Sequence, residues 1–173
     1  MRYKDDLIIW DERIFLKSLN REDSERYRVL RNQEENRKWF FTNTHITEAD
    51  QKEWFDQYYR DCHEYMFSIY EKTSGRYLGA VAVYHIDYLN KRAEIGRIIV
   101  DRTIAGGKGY GKDAVRCVVE WGKRNLGIKI FYAQVYTNNL SSMKTFVGSG
   151  FKDQMFDREQ KVSGQVLLER IEK

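Results

Sequence analysis

Between Gly106 and Gly111 the chain places four glycines in six positions, with Lys108 and Tyr110 among them and Lys112 next. Glycine adopts positive φ freely and lets a ligand approach the backbone closely. The apolar β-branched run Ile98-Ile99-Val100 precedes this stretch. Val115, Val118, Val119 and Gly122 follow it at the i, i+3, i+4, i+7 spacing of a helix face packed on a sheet. Strand, glycine loop and helix N-terminus together make a phosphate site. The first N–H groups of a helix lack internal partners, and the positive end of its dipole lies there. The chemistry predicted for Gly106, Gly107, Lys108, Gly109, Tyr110, Gly111 and Lys112 is recognition of a phosphate-bearing ligand, largely by main-chain amides. No Gly-Lys-Ser/Thr closes the loop, so it is not a Walker A loop. Its glycines at 107, 109 and 111 recur every second position, which excludes the dinucleotide fingerprint Gly-x-Gly-x-x-Gly. The plain alternative is a glycine-rich turn with solvated lysines.

The elements that position this loop follow from periodicity and caps. Leu7 to Trp10 is a short apolar run, and Arg13 to Leu19 fits a first strand. Asn20 is a helix N-cap, with Asp23 in the capping-box position, for a helix to about Arg31. A short helix and loop cover 31–41. Thr47 caps a helix from Glu48 to about Asp61, carrying Trp54, Phe55, Tyr58 and Tyr59. Tyr65–Tyr70 and Tyr77–Tyr84 read as a hairpin about the 72–76 turn, with His85-Ile86-Asp87 after it. Arg92–Val100 feeds the glycine loop, Arg102 to Ala105 belonging to the turn. Gly127 ends the loop helix as a C′ residue. Lys129–Tyr136 is a strand, a helix runs from Asn138 through Phe146 to the Gly148-Ser149-Gly150 stop, and two strands reach about Asp157 and span Gln160–Arg170. The order predicts an α/β fold, a mixed sheet with helices on both faces, in one domain over 1–173.

Composition narrows the function classes. Charged residues make up 32% and hydrophobic ones 42% of 173 residues, the balance of a globular domain with one core. The net charge of +4 is mild and the basic residues are interleaved with acids, so a nucleic-acid partner is not expected. A modest positive surface suits an anionic ligand. Cys62 and Cys117 are read as reduced thiols. With no signal-like N-terminus and no long apolar run, a cytoplasmic protein without membrane contact is expected.

The loop resembles the pyrophosphate loop of the GCN5-related N-acetyltransferases (GNAT family), Gln/Arg-x-x-Gly-x-Gly/Ala, with Gly109 and Gly111 at the small positions. Gly106 stands where the family usually has Gln or Arg. A second stretch, Asn139-x-x-Ser142-x-x-x-Phe146-x-x-x-Gly150-Phe151, is similar to that family's Asn-x-x-Ser-x-x-x-Tyr-x-x-x-Gly-Phe. The element order is the family's order as well, and the resemblance covers essentially the whole chain. It implies a mostly antiparallel sheet with splayed central strands, acetyl-CoA as cosubstrate and an amine as acceptor, and no metal. It implies a bulge in the strand of Ile98, Ile99 and Val100, whose free amides hold pantetheine and the thioester oxygen. It places Asn139, Ser142 and Phe146 with the cofactor; Asn139 is alternatively a helix N-cap. Phe146 replaces the tyrosine that many members use as general acid, and it has no proton to give. A CoA thiol with a pKa near 8.5 leaves tolerably as a thiolate.

On this resemblance the acceptor ammonium must first lose a proton. An amine of pKa near 10.4 is free base in only about one molecule in a thousand at neutral pH, so a base helps. Glu94 is the first candidate, sharing a strand face with Gly96 and Ile98 until the bulge. Its alternative is an ion pair with Arg92 or Arg97. His85, with Asp87, is the second candidate, and Tyr136 is a candidate acid. For the acceptor, Arg31, Arg37, Trp39 and Trp54 suit stacking and phosphate contacts. The chain is similar here to the branch that acetylates nucleotide-linked 4-amino sugars, which borders the ribosomal-protein and spermidine acetyltransferases. A polyamine would instead use Glu34, Glu35, Glu48, Asp50 and Glu53. A non-catalytic acetyl-CoA-binding module is the alternative of another class, and a homodimer is the implied assembly.

Overall fold

The computed structural model describes residue 4 and residues 6–153 and 164–172. Among these, eight strands form one sheet: β1 (Ile8–Trp10), β2 (Ile14–Ser18), β3 (Tyr65–Glu71), β4 (Tyr77–Asp87), β5 (Arg92–Val100), β6 (Ile130–Tyr136), β7 (Lys152–Asp153) and β8 (Gln165–Ile171). Six helices accompany them: α1 (Arg21–Asn32), α2 (Glu34–Arg37), α3 (Glu48–Tyr58), α4 (Arg102–Ala105), α5 (Tyr110–Leu126) and α6 (Leu140–Gly148). The strand order is β1-β2-β3-β4-β5-β6-β8-β7. Neighbours run antiparallel except β5 and β6, which are parallel.

Both faces of the sheet are covered. On one, α5 buries Val115, Val118, Val119 and Gly122 against a core that includes Phe131, Phe146 and Phe151. On the other, α1 and α3 bury Tyr27, Leu30, Phe55 and Tyr58 over Ala80, Ala82 and Ile99. Local signals explain most boundaries. Asn20 caps α1 by accepting from the Asp23 N–H, and Gly127 ends α5 at φ +67°. The reciprocal capping box falls at Thr47 and Asp50, not at Asn20 and Asp23. The Asp23 carboxylate is occupied by Tyr70 and Arg26 instead.

Three departures from the sequence reading affect the site. The Leu7–Trp10 run supplies an edge strand, β1, held to β2. Arg102–Ala105 is a helical turn, started by Asp101 accepting from the Thr103 N–H, and not part of an open loop. Strand β4 continues through His85 to Asp87 although His85 sits at φ +49°. Helix α3 also stops at Tyr58, three residues earlier than expected. The expected strand segments within 154–163 lie outside the described residues.

Strands β5 and β6 pair only at Arg92–Ile130, Ala93–Phe131 and Glu94–Tyr132. Beyond these pairs β6 keeps its partner β8 as far as Tyr136–Gln165, and the two parallel strands part. The gap opens where β5 also carries a bulge. Gly96 pairs with Ala82 and Ile99 with Ala80, so β5 holds one extra residue there. The residue at the kink, Arg97, has φ +49°. Its carbonyl accepts from the Tyr27 hydroxyl at 3.2 Å, its guanidinium bonds Glu64 at 2.6 Å, and it lies 4.4 Å from the Tyr84 ring. These contacts hold a conformation that costs a non-glycine residue roughly 1–2 kcal/mol.

Candidate active site

The extra residue at Arg97 inverts the alternation of side chains along β5. Glu94 pairs with Tyr84, whose ring packs on the α1–α3 side. After the bulge Ile99 takes that side, while Ile98 and Val100 pack on the α5 side. Ile98 therefore does not share a face with Glu94, contrary to the two-residue count.

A cavity of about 610 Å³ occupies the region beside this switch. Ile98, Ile99 and Val100 form its floor. Gly106, Gly107, Gly109, Tyr110, Gly111 and Lys112 form one wall, and Asn139, Ser142 and Thr145 another. Asn36, Trp39 and Phe40 close it from the helical layer of the opposite face. Among the described residues its charged lining is Arg102, Lys112 and Lys144, with no carboxylate.

The glycine wall is shaped by backbone requirements. Gly109, the N-cap residue of α5, has φ +79° and offers no side-chain acceptor. Helices α1, α3 and α6 each have a capping side chain, Asn20, Thr47 and Asn139. Among the described residues the amides of Tyr110, Gly111 and Lys112 donate to no protein acceptor, the first internal bond of α5 running from the Asp113 N–H to the Gly109 carbonyl. The loop is pinned from outside by Arg13, which donates to the Lys108 carbonyl at 2.8 Å and to Asp113 at 2.9 Å. Gly106 is also explained. A Cβ there would come within 2.6 Å of the Arg102 carbonyl, because Gly106 closes the α4 turn. The long side chain familiar at this place has no room, and Arg102, one turn earlier, lines the cavity with a positive charge.

Other sequence candidates fall elsewhere. Lys108 lies outside the cavity lining, its ammonium bonded to the Ile104 carbonyl at 3.2 Å. Phe146 is 2% exposed and meets Phe151 at 5.1 Å between ring centres, so it is a core residue and not a cavity wall. Its ring packs in the core between α6 and the sheet. Asn139 accepts from the Ser142 N–H at 3.2 Å, as a cap, and lines the cavity too. Tyr136 stands at the end of β6, its ring 6.5 Å from that of Trp39 and 5.5 Å from that of Phe41.

Glu94 and His85, read separately from the sequence, form one constellation. The Glu94 side chain is 3% exposed, and neither Arg92 nor Arg97 pairs with it. Arg92 bonds Glu169 and Arg97 bonds Glu64. One carboxylate oxygen accepts from the Tyr84 hydroxyl at 2.8 Å, and the other lies 2.9 Å from His85 Nδ1. An ionised carboxylate only accepts, so beside it Nδ1 is the hydrogen-bearing nitrogen, and Nε2 is the nitrogen available for proton exchange. Burial and then the Glu94 charge push the Tyr84 phenol above its ordinary pKa, which keeps it a donor. His85 itself is two-thirds exposed, and Glu94 lies beyond the cavity lining. Asp87 is held by Asn90 in the adjoining turn. Of the residues expected to stack on the acceptor, Trp39 lines the cavity. Arg31 is buried over the Phe40 ring and bonds the Thr42 carbonyl, and Trp54 stacks on Tyr58.

Residues 13–152 match the acetyltransferase (GNAT) domain family. This chain belongs to the GNAT family. The family is one of acetyl-CoA-dependent N-acetyltransferases, the class expected from the two sequence patterns. Over 105 residues the chain is 31% identical to an uncharacterized protein, MJ1062, of Methanocaldococcus jannaschii; the match covers 61% of this chain and 21% of that protein. The fold is similar to that of a domain from the same organism, with a TM-score of 0.78, 22% identity, and 93% and 99% of the two chains covered. It is similar also to a spermidine N-acetyltransferase from Vibrio cholerae solved with CoA and spermine, with a TM-score of 0.79, 18% identity, and 92% and 94% covered.

Several residues of this GNAT domain escaped the sequence reading. Arg102 and Lys144 face the cavity from α4 and α6, and Arg13 braces the loop from the start of β2. Tyr84 was read only as the end of a strand. The signal available for Arg102 was its place one turn before the glycines. Arg13 and Asp113, 100 residues apart, left no such signal.

Proposed function

We propose that this GNAT domain transfers the acetyl group of acetyl-CoA directly to a primary amine. The observation that carries the reading is the cavity that joins the uncapped N-terminus of α5 to Ile98–Val100 of β5 and to Asn139 and Ser142 at the start of α6. The amides of Tyr110, Gly111 and Lys112 hold the diphosphate, with Arg102, Lys112 and Lys144 as its counter-charges. A wall with such amides and no carboxylate fits a polyanion. Ile98, Ile99, Val100, Asn139 and Ser142 line the path of the pantetheine arm. The cosubstrate supplies an activated acyl carbon. The chain's residues orient it, exclude water and move protons. Glu94 fixes His85, and this pair takes the ammonium proton, directly or through water. The amine nitrogen bonds to the acyl carbon, the C–S bond breaks, and the thiolate leaves with a proton from Tyr136 or from solvent.

The acceptor we favour is an amino sugar carried on a nucleotide. An aromatic roof of Trp39 and Phe40 suits stacking on the base of a nucleotide carrier. The polyamine reading draws on the similarity to the Vibrio spermidine acetyltransferase and on Glu34 and Glu35, exposed on α2 near the cavity roof. The test is CoA release from acetyl-CoA with a nucleotide-linked 4-amino sugar, spermidine and a peptide amine in parallel. Turnover with the amino sugar at a kcat/KM at least roughly a hundred times that of spermidine is expected; the reverse order replaces the acceptor assignment. Binding of acetyl-CoA with no thiol released from any amine would make the domain a binding module.

A further inference from the structure

After α3 the chain turns through Asp61, Cys62 and His63, a segment that borders the end of β4 one residue beyond His85. Three side chains of different chemistry bring their donor atoms together there. Cys62 Sγ lies 3.5 Å from His63 Nδ1, and Asp61 Oδ1 lies 3.2 Å from the same nitrogen. All three donor atoms lie within 4.8 Å of one another. A tetrahedral zinc ion, with bonds of about 2.3 Å to sulfur and about 2.0–2.1 Å to nitrogen or oxygen, keeps its ligand atoms roughly 3.3–3.6 Å apart. Both separations to His63 Nδ1 agree with that spacing.

The turn is also fixed before any ion arrives. The Tyr88 hydroxyl donates to the Cys62 carbonyl at 2.5 Å. The His63 carbonyl accepts from the Ile86 N–H at 3.1 Å, and the His63 N–H donates to Asp61 at 2.7 Å. All three side chains are exposed, so an ion has access. The following residue, Glu64, is the partner of Arg97 in the β5 bulge.

We propose that Asp61, Cys62 and His63 bind a thiophilic divalent cation, with zinc the best match and the fourth position open to water. One thiolate, one imidazole and one carboxylate select zinc or cobalt over magnesium or calcium, which prefer oxygen alone. Binding converts the Cys62 thiol to a thiolate and releases its proton to solvent, while His63 binds through neutral Nδ1. The site is independent of the acetyl-transfer reading.

The test is a titration of the reduced, metal-free protein with Co²⁺. The expected result is a near-ultraviolet thiolate-to-cobalt band with visible bands of a tetrahedral site, saturating at one ion per chain and bleached by Zn²⁺. Cys62→Ser removes the thiolate band, and His63→Ala weakens binding roughly tenfold or more. Cys117→Ser leaves both unchanged, because Cys117 is buried. Circular dichroism of each variant confirms that it has folded. Absence of the thiolate band, its survival in Cys62→Ser, or unaltered affinity in His63→Ala each overturns the proposal.

Discussion

The glycine wall of the cavity and the Glu94 constellation, which lies beyond the cavity lining, are the two ends of the candidate site and are made from different material. The glycine end is one stretch of main chain: between Gly106 and Lys112 every residue but Lys108 lines the wall, shaped by amides and φ angles. The Glu94 end is an arrangement of side chains from different strands, with Tyr84 and His85 on β4 gripping Glu94 on β5. A backbone site is specified by which residues can adopt its conformation, so its sequence is conspicuous. A side-chain site is specified by register, and register is decided by strand pairing. The difference predicts that the ends can be damaged separately.

The largest effect expected is on Glu94. Glu94→Gln keeps the size and removes the charge, so kcat should fall about 100- to 1,000-fold at neutral pH. CoA affinity, measured by calorimetry, should stay within about twofold of the parent, since no phosphate contact is touched. The defect should shrink as the pH approaches the amine's own pKa, where free amine is abundant. An unchanged pH profile removes the Glu94–His85 pair from the role of base, and a parallel loss of CoA affinity merges the two ends.

Next comes the glycine end. Gly109→Val forces a β-branched residue to φ +79° and sets its Cβ 3.4 Å from Arg13 Nη2. CoA affinity should fall about 100-fold, with kcat at saturating acetyl-CoA changed only a few-fold. An unaffected CoA titration would show that the α5 amides are not the anion site.

A smaller effect refines how the loop is held. Arg13→Ala leaves the Lys108 carbonyl without its side-chain partner and Asp113 with Arg116 alone. Loss of such a bond, about 1 kcal/mol, corresponds to a fivefold weaker CoA complex. Lys108→Ala should change it less than twofold, because that ammonium is already turned back onto Ile104. Equal losses in both variants would make the lysine charge, and not loop geometry, the determinant.

The smallest effect concerns stability on the α1–α3 face. Burial pushes the Tyr27 phenol up to about 12, and it pushes Tyr58, Tyr77 and Tyr84 in the same direction. The folded state keeps protons that the unfolded chain loses near pH 10, so stability falls as the pH rises from about 10 to 12. Tyr27→Phe removes one such group and should flatten the fall in Tm across that window. It should cost about 1 kcal/mol at neutral pH for the lost bond to the Arg97 carbonyl. Parallel Tm curves for parent and variant would exclude Tyr27 as a source of the alkaline limb.

Legibility followed the range of the interactions. Glycine spacing, the helix face from Val115 to Gly122, the Asn20, Thr47 and Asn139 caps and the strand runs are local, and each lies where its own residues point. Phe146 was named as the odd member of its pattern, but its burial against Phe151 depends on packing that spacing does not contain. Arg102–Ala105 was read as part of the turn because a single helical turn has too few residues for a period to show.

The sequence alone determined that a strand, a glycine-rich turn and a helix would meet with free amides, because backbone conformation depends on residues within a few places of one another. Tertiary structure alone decided the inversion at Arg97 that sends Ile98 and Glu94 to opposite faces, the parting of β5 from β6 after Glu94, and the joining of Glu94 to His85 and Tyr84. Those features come from pairing and packing between segments far apart in the chain, and the order of residues along any one strand is the same whichever partner it meets.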